Sequence, residues 1–215
     1  MGQKVNPKSI RLKINQTWSS RWFGRTNYAE SLIADLMVKR ALAKKLKDAS
    51  VSKILISRDS NKVTLDIYSG RPGVIIGRGG QGTEDLKKFL TTWIKEKLQI
   101  NIIEVKKPDG DASIIAANIA AQIEKRIAFR RAMRQAVEKA KAAGIMGIKV
   151  QVSGRLNGAD IARSEKVAFG TVPLGTFKSD IDYKYTTALT TFGIIGIKVW
   201  VYKGERLLTL EDLTK

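Results

Sequence analysis

Between Arg71 and Leu86 the chain reads R-P-G-V-I-I-G-R-G-G-Q-G-T-E-D-L, and five glycines in so short a stretch constrain the fold more than any other feature. Glycine reaches positive φ at little cost and has no Cβ, so the segment must turn, and its amides can approach a ligand closely. Two spacings coexist. Gly77, Gly79 and Gly82 satisfy G-x-G-x-x-G, the dinucleotide-binding pattern. Gly77-Arg78-Gly79-Gly80 satisfies G-x-x-G, a clamp for nucleic-acid backbone.

The flanks separate the two. A dinucleotide site needs a buried strand running straight into the first glycine. Only Val74, Ile75 and Ile76 are available, because Pro72-Gly73 interrupts just upstream. Ser69-Gly70-Arg71-Pro72 reads instead as the start of a short helix with proline in its first turn. Glu104 has about the ribose-binding separation from Gly82, but the reading places it inside a strand. A clamp is better served: Arg71 and Arg78 offer charge to phosphate, and Val74 to Ile76 offer an aliphatic groove floor.

Upstream, Tyr28 to Lys47 has helical spacing, with Leu32, Ile33, Leu36, Met37 and Leu46 as its apolar face. Lys39, Arg40, Lys44, Lys45 and Lys47 crowd its C-terminal half, where cations complement the helix dipole. Ser52 to Arg58 and Lys62 to Tyr68 alternate as strands about the turn residues Asp59-Ser60-Asn61. Downstream, a helix is expected over Thr83 to Leu98 and a strand over Ile100 to Val105. Helix, strand, strand, helix, loop, helix, strand is the element order of a KH type II domain, whose G-x-x-G loop holds about four nucleotides of single-stranded backbone.

Charge narrows the partner. Thirty-nine Lys and Arg oppose twenty Asp and Glu, a formal net of +19. Such an excess repels itself unless a polyanion neutralises it, which makes nucleic acid the expected ligand. The chain has no Cys and no His, which removes thiol and Ser-His-Asp nucleophiles, zinc ribbons and the commonest general base. There is no Walker sequence. The expectation is a non-enzyme without metal or cofactor, soluble and cytoplasmic.

The start, Met1 to Ile14, carries Lys4, Lys8, Arg11 and Lys13 without an acid and reads as an extended basic arm. Trp18, Trp22 and Phe23 follow, interleaved with Arg21 and Arg25, a mixture suited to base stacking or to anchoring the arm. Lys106-Lys107-Pro108-Asp109-Gly110 reads as a linker. Beyond it Asp111 is a helix N-cap, and a helical pattern runs to Gly144 with a break expected near Ala128-Phe129. Strands are expected at Ile148 to Arg155, around Lys166 to Val172 and at Ile195 to Tyr202. A helix is expected between Asp182 and Thr191, with Asp180-x-Asp182 as its cap.

Several stretches resemble one family along nearly the whole chain. M-G-Q-K-V-N-P with Arg11-Leu12 opens the match, followed by V-I-I-G-R-G-G (Val74 to Gly80) and F-R-R-A-M (Phe129 to Met133). K-V-Q-V-S-G-R-L-N-G-A-D-I-A-R (Lys149 to Arg163), V-P-L-G-T-F-K-S-D-I-D-Y (Val172 to Tyr183) and T-T-F-G-I-I-G-I-K-V-W-V-Y-K-G-E (Thr190 to Glu205) complete it. The chain is similar to the family of bacterial small-subunit ribosomal protein three. That resemblance implies an α+β fold: an N-terminal KH type II domain, then an α/β two-layer domain with helices packed on a small sheet. The expected division is an arm over 1–16, the KH domain over 17–107, the second domain over 108–206 and a tail over 207–215.

The resemblance also implies a place in the small-subunit head at the pore where mRNA enters, beside small-subunit proteins four and five. Partners are then small-subunit rRNA, mRNA and neighbouring ribosomal proteins, with no membrane and no small-molecule substrate. The family's mRNA-unwinding role maps onto Arg130, Arg131 and Arg134. RNA contacts are expected from Arg71, Gly77, Arg78, Gly79 and Gly80 in the loop. Contacts to rRNA are expected from Lys4, Lys8, Arg11, Lys13, Arg155 and Arg163. Two departures stand out. Lys13 occupies a position where the family usually has glycine, and Lys166 to Gly175 carries less charge than is usual. The competing function is a free KH-type regulator of single-stranded RNA; nucleotide-binding and lysine-imine enzymes are the remaining alternatives.

Overall fold

The computed structural model describes residues 4–24, 27–59, 61–94 and 96–207. Its contacts divide the chain into two compact units, Trp18–Lys106 and Met1–Thr17 with Lys107–Lys215.

In the first unit, strands β1 (Ser20–Arg21), β2 (Val51–Arg58), β3 (Lys62–Ser69) and β4 (Lys97–Glu104) form a sheet in that order. β2 and β3 are an antiparallel hairpin, while β1 joins β2 and β4 joins β3 in parallel. Helices α1 (Tyr28–Lys45), α2 (Pro72–Ile76) and α3 (Gln81–Leu90) supply the rest. The core joins Val38 and Leu42 of α1 to Ile56, Val63, Leu65 and Ile67 of the sheet.

The face of α1 differs from the sequence expectation. Leu32, Ile33, Leu36 and Met37 are exposed, and of the predicted face only Leu46, just past the helix end, is buried. The inward stripe is Asp35, Val38 and Leu42. An aspartate can occupy it because its carboxylate is fully partnered: Oδ1 accepts from Arg58 Nε (2.9 Å) and Nη2 (2.7 Å), and Oδ2 from Trp22 Nε1 (2.9 Å). Trp22 is therefore an anchor, whereas Trp18 and Phe23 are exposed and Arg25 lies outside the described residues. The helix expected to reach Leu98 stops at Leu90. Trp93 and Ile94 fold back on it in a turn, and Leu98 instead pairs with Val63 in β4.

In the second unit, α4 (Ala112–Glu124) and α5 (Phe129–Ala142) pack on a sheet of β5 (Gly147–Gly154), β6 (Arg163–Gly170), β7 (Ser179–Thr190) and β8 (Gly193–Glu205), ordered β6-β5-β8-β7. Asp111 caps α4 by accepting from the amides of Ser113 (2.9 Å) and Ile114 (3.3 Å). The break before Phe129 is present and includes Arg126 at φ +63. The helix expected between Asp182 and Thr191 is strand β7, antiparallel to β8 from Ser179 to Thr190. Tyr183, Tyr185, Thr186 and Thr187 are aromatic or β-branched, and a long partner strand lets that preference win.

Asp182 caps a helix after all, but not its own. From β7 its Oδ2 accepts from Ala112 N of α4 (3.0 Å), Lys8 Nζ lies 2.8 Å from Oδ1 and Lys203 Nζ 3.5 Å from Oδ2. The arm is not extended either. It makes a 3-10 turn over Ser9–Arg11 and is tied to residues 173–181 by Arg11, Asn15 and Gln16. Lys13, standing where the resemblance expects glycine, adopts φ +67, so the left-handed turn is kept without the glycine.

Candidate nucleic-acid interface

The glycine segment folds as helix, clamp, helix. Pro72 starts α2 in the position where its missing amide costs nothing. Val74 to Ile76 are helical, so the strand that a dinucleotide fingerprint needs is missing. Glu104, expected inside a strand, is the last residue of β4. The turn between α2 and α3 needs its glycines for two different reasons. Gly77 (φ +69, ψ −174) takes a conformation closed to side-chain-bearing residues. At Gly82 a Cβ would lie 2.4 Å from the Ile75 carbonyl oxygen and 2.9 Å from that of Ile76, so α3 starts directly against the backbone of α2. Gly79 and Gly80 also have positive φ, with open space around them.

This geometry leaves Arg71, Gly77, Arg78 and Gly79 exposed and Gly80 half-exposed. Of the aliphatic trio, Ile75 is core, while Val74 (58% exposed) and Ile76 (41%) stay on the surface beside the loop. Thr83 Oγ1 donates to the Gly80 carbonyl (2.7 Å), locking the loop to the first turn of α3. The result is a cationic, amide-lined turn with apolar flanks, which is chemically suited to phosphate on one side and a base or ribose on the other.

On α5, Met133 and Ala132 face the core, which turns Arg130, Arg131 and Arg134 outward. They are not equivalent. Arg130 Nε and Nη2 donate to both oxygens of Glu165 on β6, at 2.9 and 2.8 Å. The shared hydrogen bonds raise the Arg130 pKa and lower that of Glu165. No acid pairs with Arg131 or Arg134 among the described residues.

The cations expected to contact rRNA separate sharply. Arg11 is a correction: it is 0% exposed. Its guanidinium donates to the carbonyls of Ser179 (2.8 Å), Pro7 (3.1 Å), Leu174 (2.9 Å) and Thr176 (2.9 Å), so it fastens the arm and has no surface for RNA. Lys8 is engaged by Asp182. Arg155 staples its own loop through Ala159 O (3.0 Å) and Asp160 (3.1 Å). Lys4, Lys13 and Arg163 are exposed. Asp35 and Glu165 carry no mark of their organising roles in the sequence, because a carboxylate's partner comes from a distant element and leaves no local signal; Asp182 is marked as a cap, but not of α4. Among the described residues no cluster of three or more His, Cys, Asp or Glu could hold a metal ion.

Comparison with known proteins agrees with this arrangement. Residues 37–110 match the KH domain family, and residues 119–201 match the family described as ribosomal protein S3, C-terminal domain. The chain is similar to the small ribosomal subunit protein uS3 of Enterococcus faecalis, 49% identical over 215 residues, covering 100% of this chain and 99% of the relative. It is also similar to the proteins of that name from Bacillus cytotoxicus (49% identical, 96% of this chain, 94% of the relative) and Lactobacillus helveticus (50%, 99% and 95%). With a glycine clamp in the first unit, two helices on a four-stranded sheet in the second, and identity near one half from end to end, the chain belongs to the uS3 family of small ribosomal subunit proteins.

Proposed function

We propose that this chain is a structural, rRNA-binding constituent of the small-subunit head that helps form the pore where mRNA enters and contributes passively to mRNA unwinding. Family membership supports the coarser part: a non-enzymatic component of the small ribosomal subunit that binds rRNA. In this reading residues 17–107 work as the KH domain and 108–206 as the second domain, with mRNA and small-subunit proteins four and five as neighbours.

The observation that carries the finer reading is the state of the α5 arginines. Arg131 and Arg134 project from a rigid helix without an acidic partner among the described residues, and Glu165 fixes Arg130 beside them. Point charges held at fixed spacing bind phosphates without reading bases. They can therefore hold strands already separated by thermal fraying and bias the duplex toward opening, with no nucleotide hydrolysis. Replacing Arg131 and Arg134 with Ala in assembled ribosomes is expected to slow translation through structured mRNA more than through unstructured mRNA. Equal slowing on both templates sinks the proposal.

A second reading, a free regulator of single-stranded RNA, is favoured by the exposed loop with Val74 and Ile76 beside it. It requires R78D/G79D to abolish binding of short oligonucleotides to the isolated protein.

A further inference from the structure

Both helices of the second unit pack on the same side of its sheet. Ile148, Val150 and Val152 of β5, with Ile197, Val199 and Val201 of β8, point into the core they share with α4 and α5. Side chains alternate along a strand, so the residues between them face the opposite side, away from α4 and α5; Trp200 is buried there, whereas Lys166 and Lys198 are exposed. One row there crosses all four strands: Gln151 opposes Lys166 on β6 and Lys198 on β8, and Lys198 opposes Tyr185 on β7.

The neighbouring rows confirm the facing. Lys149 Nζ sits 5.3 Å from the Trp200 ring, and Ser164 Oγ donates to Ser153 Oγ at 2.8 Å. No Asp or Glu occupies an outward position in these three rows. Lys149 registers the imbalance: burial lowers its pKa first, and the like charges of Lys4 and Lys166 lower it further.

Tyr185 adds a different property. It is 50% exposed. Gly196, its diagonal neighbour, lacks the Cβ that would stand 3.3 Å from the Tyr185 ring. The ring can thus lie against the strand with its other face turned to solvent. A flat, half-exposed aromatic beside lysines with no compensating acid has the chemistry of a stacking platform for single-stranded nucleic acid.

We propose that this outer sheet face is a second RNA-binding surface, distinct from the glycine loop and from α5, on which Lys166 and Lys198 hold phosphates of a single-stranded segment and Tyr185 stacks on a base. Charge complementarity commits the face to a polyanion, and the aromatic platform selects RNA over an acidic protein segment.

The test uses the full chain carrying R78D/G79D, so that the glycine loop is silent, and a short fluorescein-labelled oligouridine read by anisotropy across a salt series. K166Q/K198Q should lower the log–log salt slope by about 1.4, or about 0.7 for each single-strand phosphate contact. Y185A should weaken binding by about fivefold or more, and Y185F should retain it. The same losses should appear when Arg131 and Arg134 are also Ala, which separates this surface from the mRNA role proposed for α5. Unchanged slope and affinity in both K166Q/K198Q and Y185A overturn the proposal, as does the absence of any binding once R78D/G79D is in place. So does displacement of the RNA by a polyglutamate peptide with no effect of Y185A, which would mark the face as a dock for acidic protein.

Discussion

Asp35→Ala should cost the first unit about 3 kcal/mol. The Asp35 and Arg58 side chains are only 3% and 8% exposed, and Oδ1 accepts two guanidinium hydrogen bonds, at 2.9 and 2.7 Å. Removing one partner of a buried ion pair costs about 3–5 kcal/mol, mostly because the other charge stays desolvated. Two features hold the value at the lower end. Arg58 Nη1 keeps Glu96 at 3.0 Å, and that carboxylate is 39% exposed and hence hydrated. The Trp22 indole N–H, which loses its acceptor, is only part-buried.

Urea unfolding of the full chain, followed by tryptophan fluorescence, is the assay. With a denaturant slope of about 1.5 kcal/mol per molar for a unit of this size, the first-unit midpoint should fall by about 2 M. The double variant D35A/R58M should recover most of it, since a buried pair exchanged for apolar volume is often neutral. A shift below about 0.5 M for D35A, or a double variant no more stable than D35A, would refute the reasoning.

Acid should unfold the second unit partly through Asp182. Burial pushes the Asp182 pKa up, but the charges of Lys8 and Lys203 and the Lys8 and Ala112 hydrogen bonds outweigh it, and the net shift is downward. A lowered folded-state pKa contributes stability above the unfolded value, about 3.9, that is lost as pH falls through the folded one. Wild-type Tm should therefore drop more steeply below about pH 4 than that of D182N, and parallel Tm profiles would exclude it. Lys13→Gly should raise the second unit's stability by about 0.5 kcal/mol, because relief of left-handed strain exceeds the entropy a glycine adds to the unfolded chain. A lower urea midpoint would contradict that. Gly82→Ala should weaken oligonucleotide binding to the level left by R78D/G79D while β2 and β3 stay folded by hydrogen exchange, since its Cβ forces α3 away from the Ile75 carbonyl; wild-type affinity would show the contact to be slack.

Local chemistry was legible wherever a residue acts on its own neighbours. Pro72 begins a helix, the glycines turn the chain, Asp111 caps α4, and the break before Phe129 follows from the pattern on either side. The segment from Asp182 to Thr191 was not, because its choice between helix and strand depends on β8. Nor was the buried face of α1: apolar residues occupy two stripes, and only the positions of Arg58 and Trp22 show that the stripe containing Asp35 goes inside.

For function, the glycine spacing and the net charge of +19 by themselves pointed to a loop suited to nucleic-acid backbone, and the absence of His and Cys removed imidazole and thiol chemistry. Which cations remain available to RNA was a tertiary decision. A side chain's charge is written in the sequence, but its partner is not. Arg11 ends among the carbonyls of residues 173–179, Lys8 against Asp182 and Arg130 against Glu165, while Arg131 and Arg134 keep their charge exposed. Burial and pairing are set by residues far away along the chain, so only the folded protein sorts the cations that build it from those left to bind.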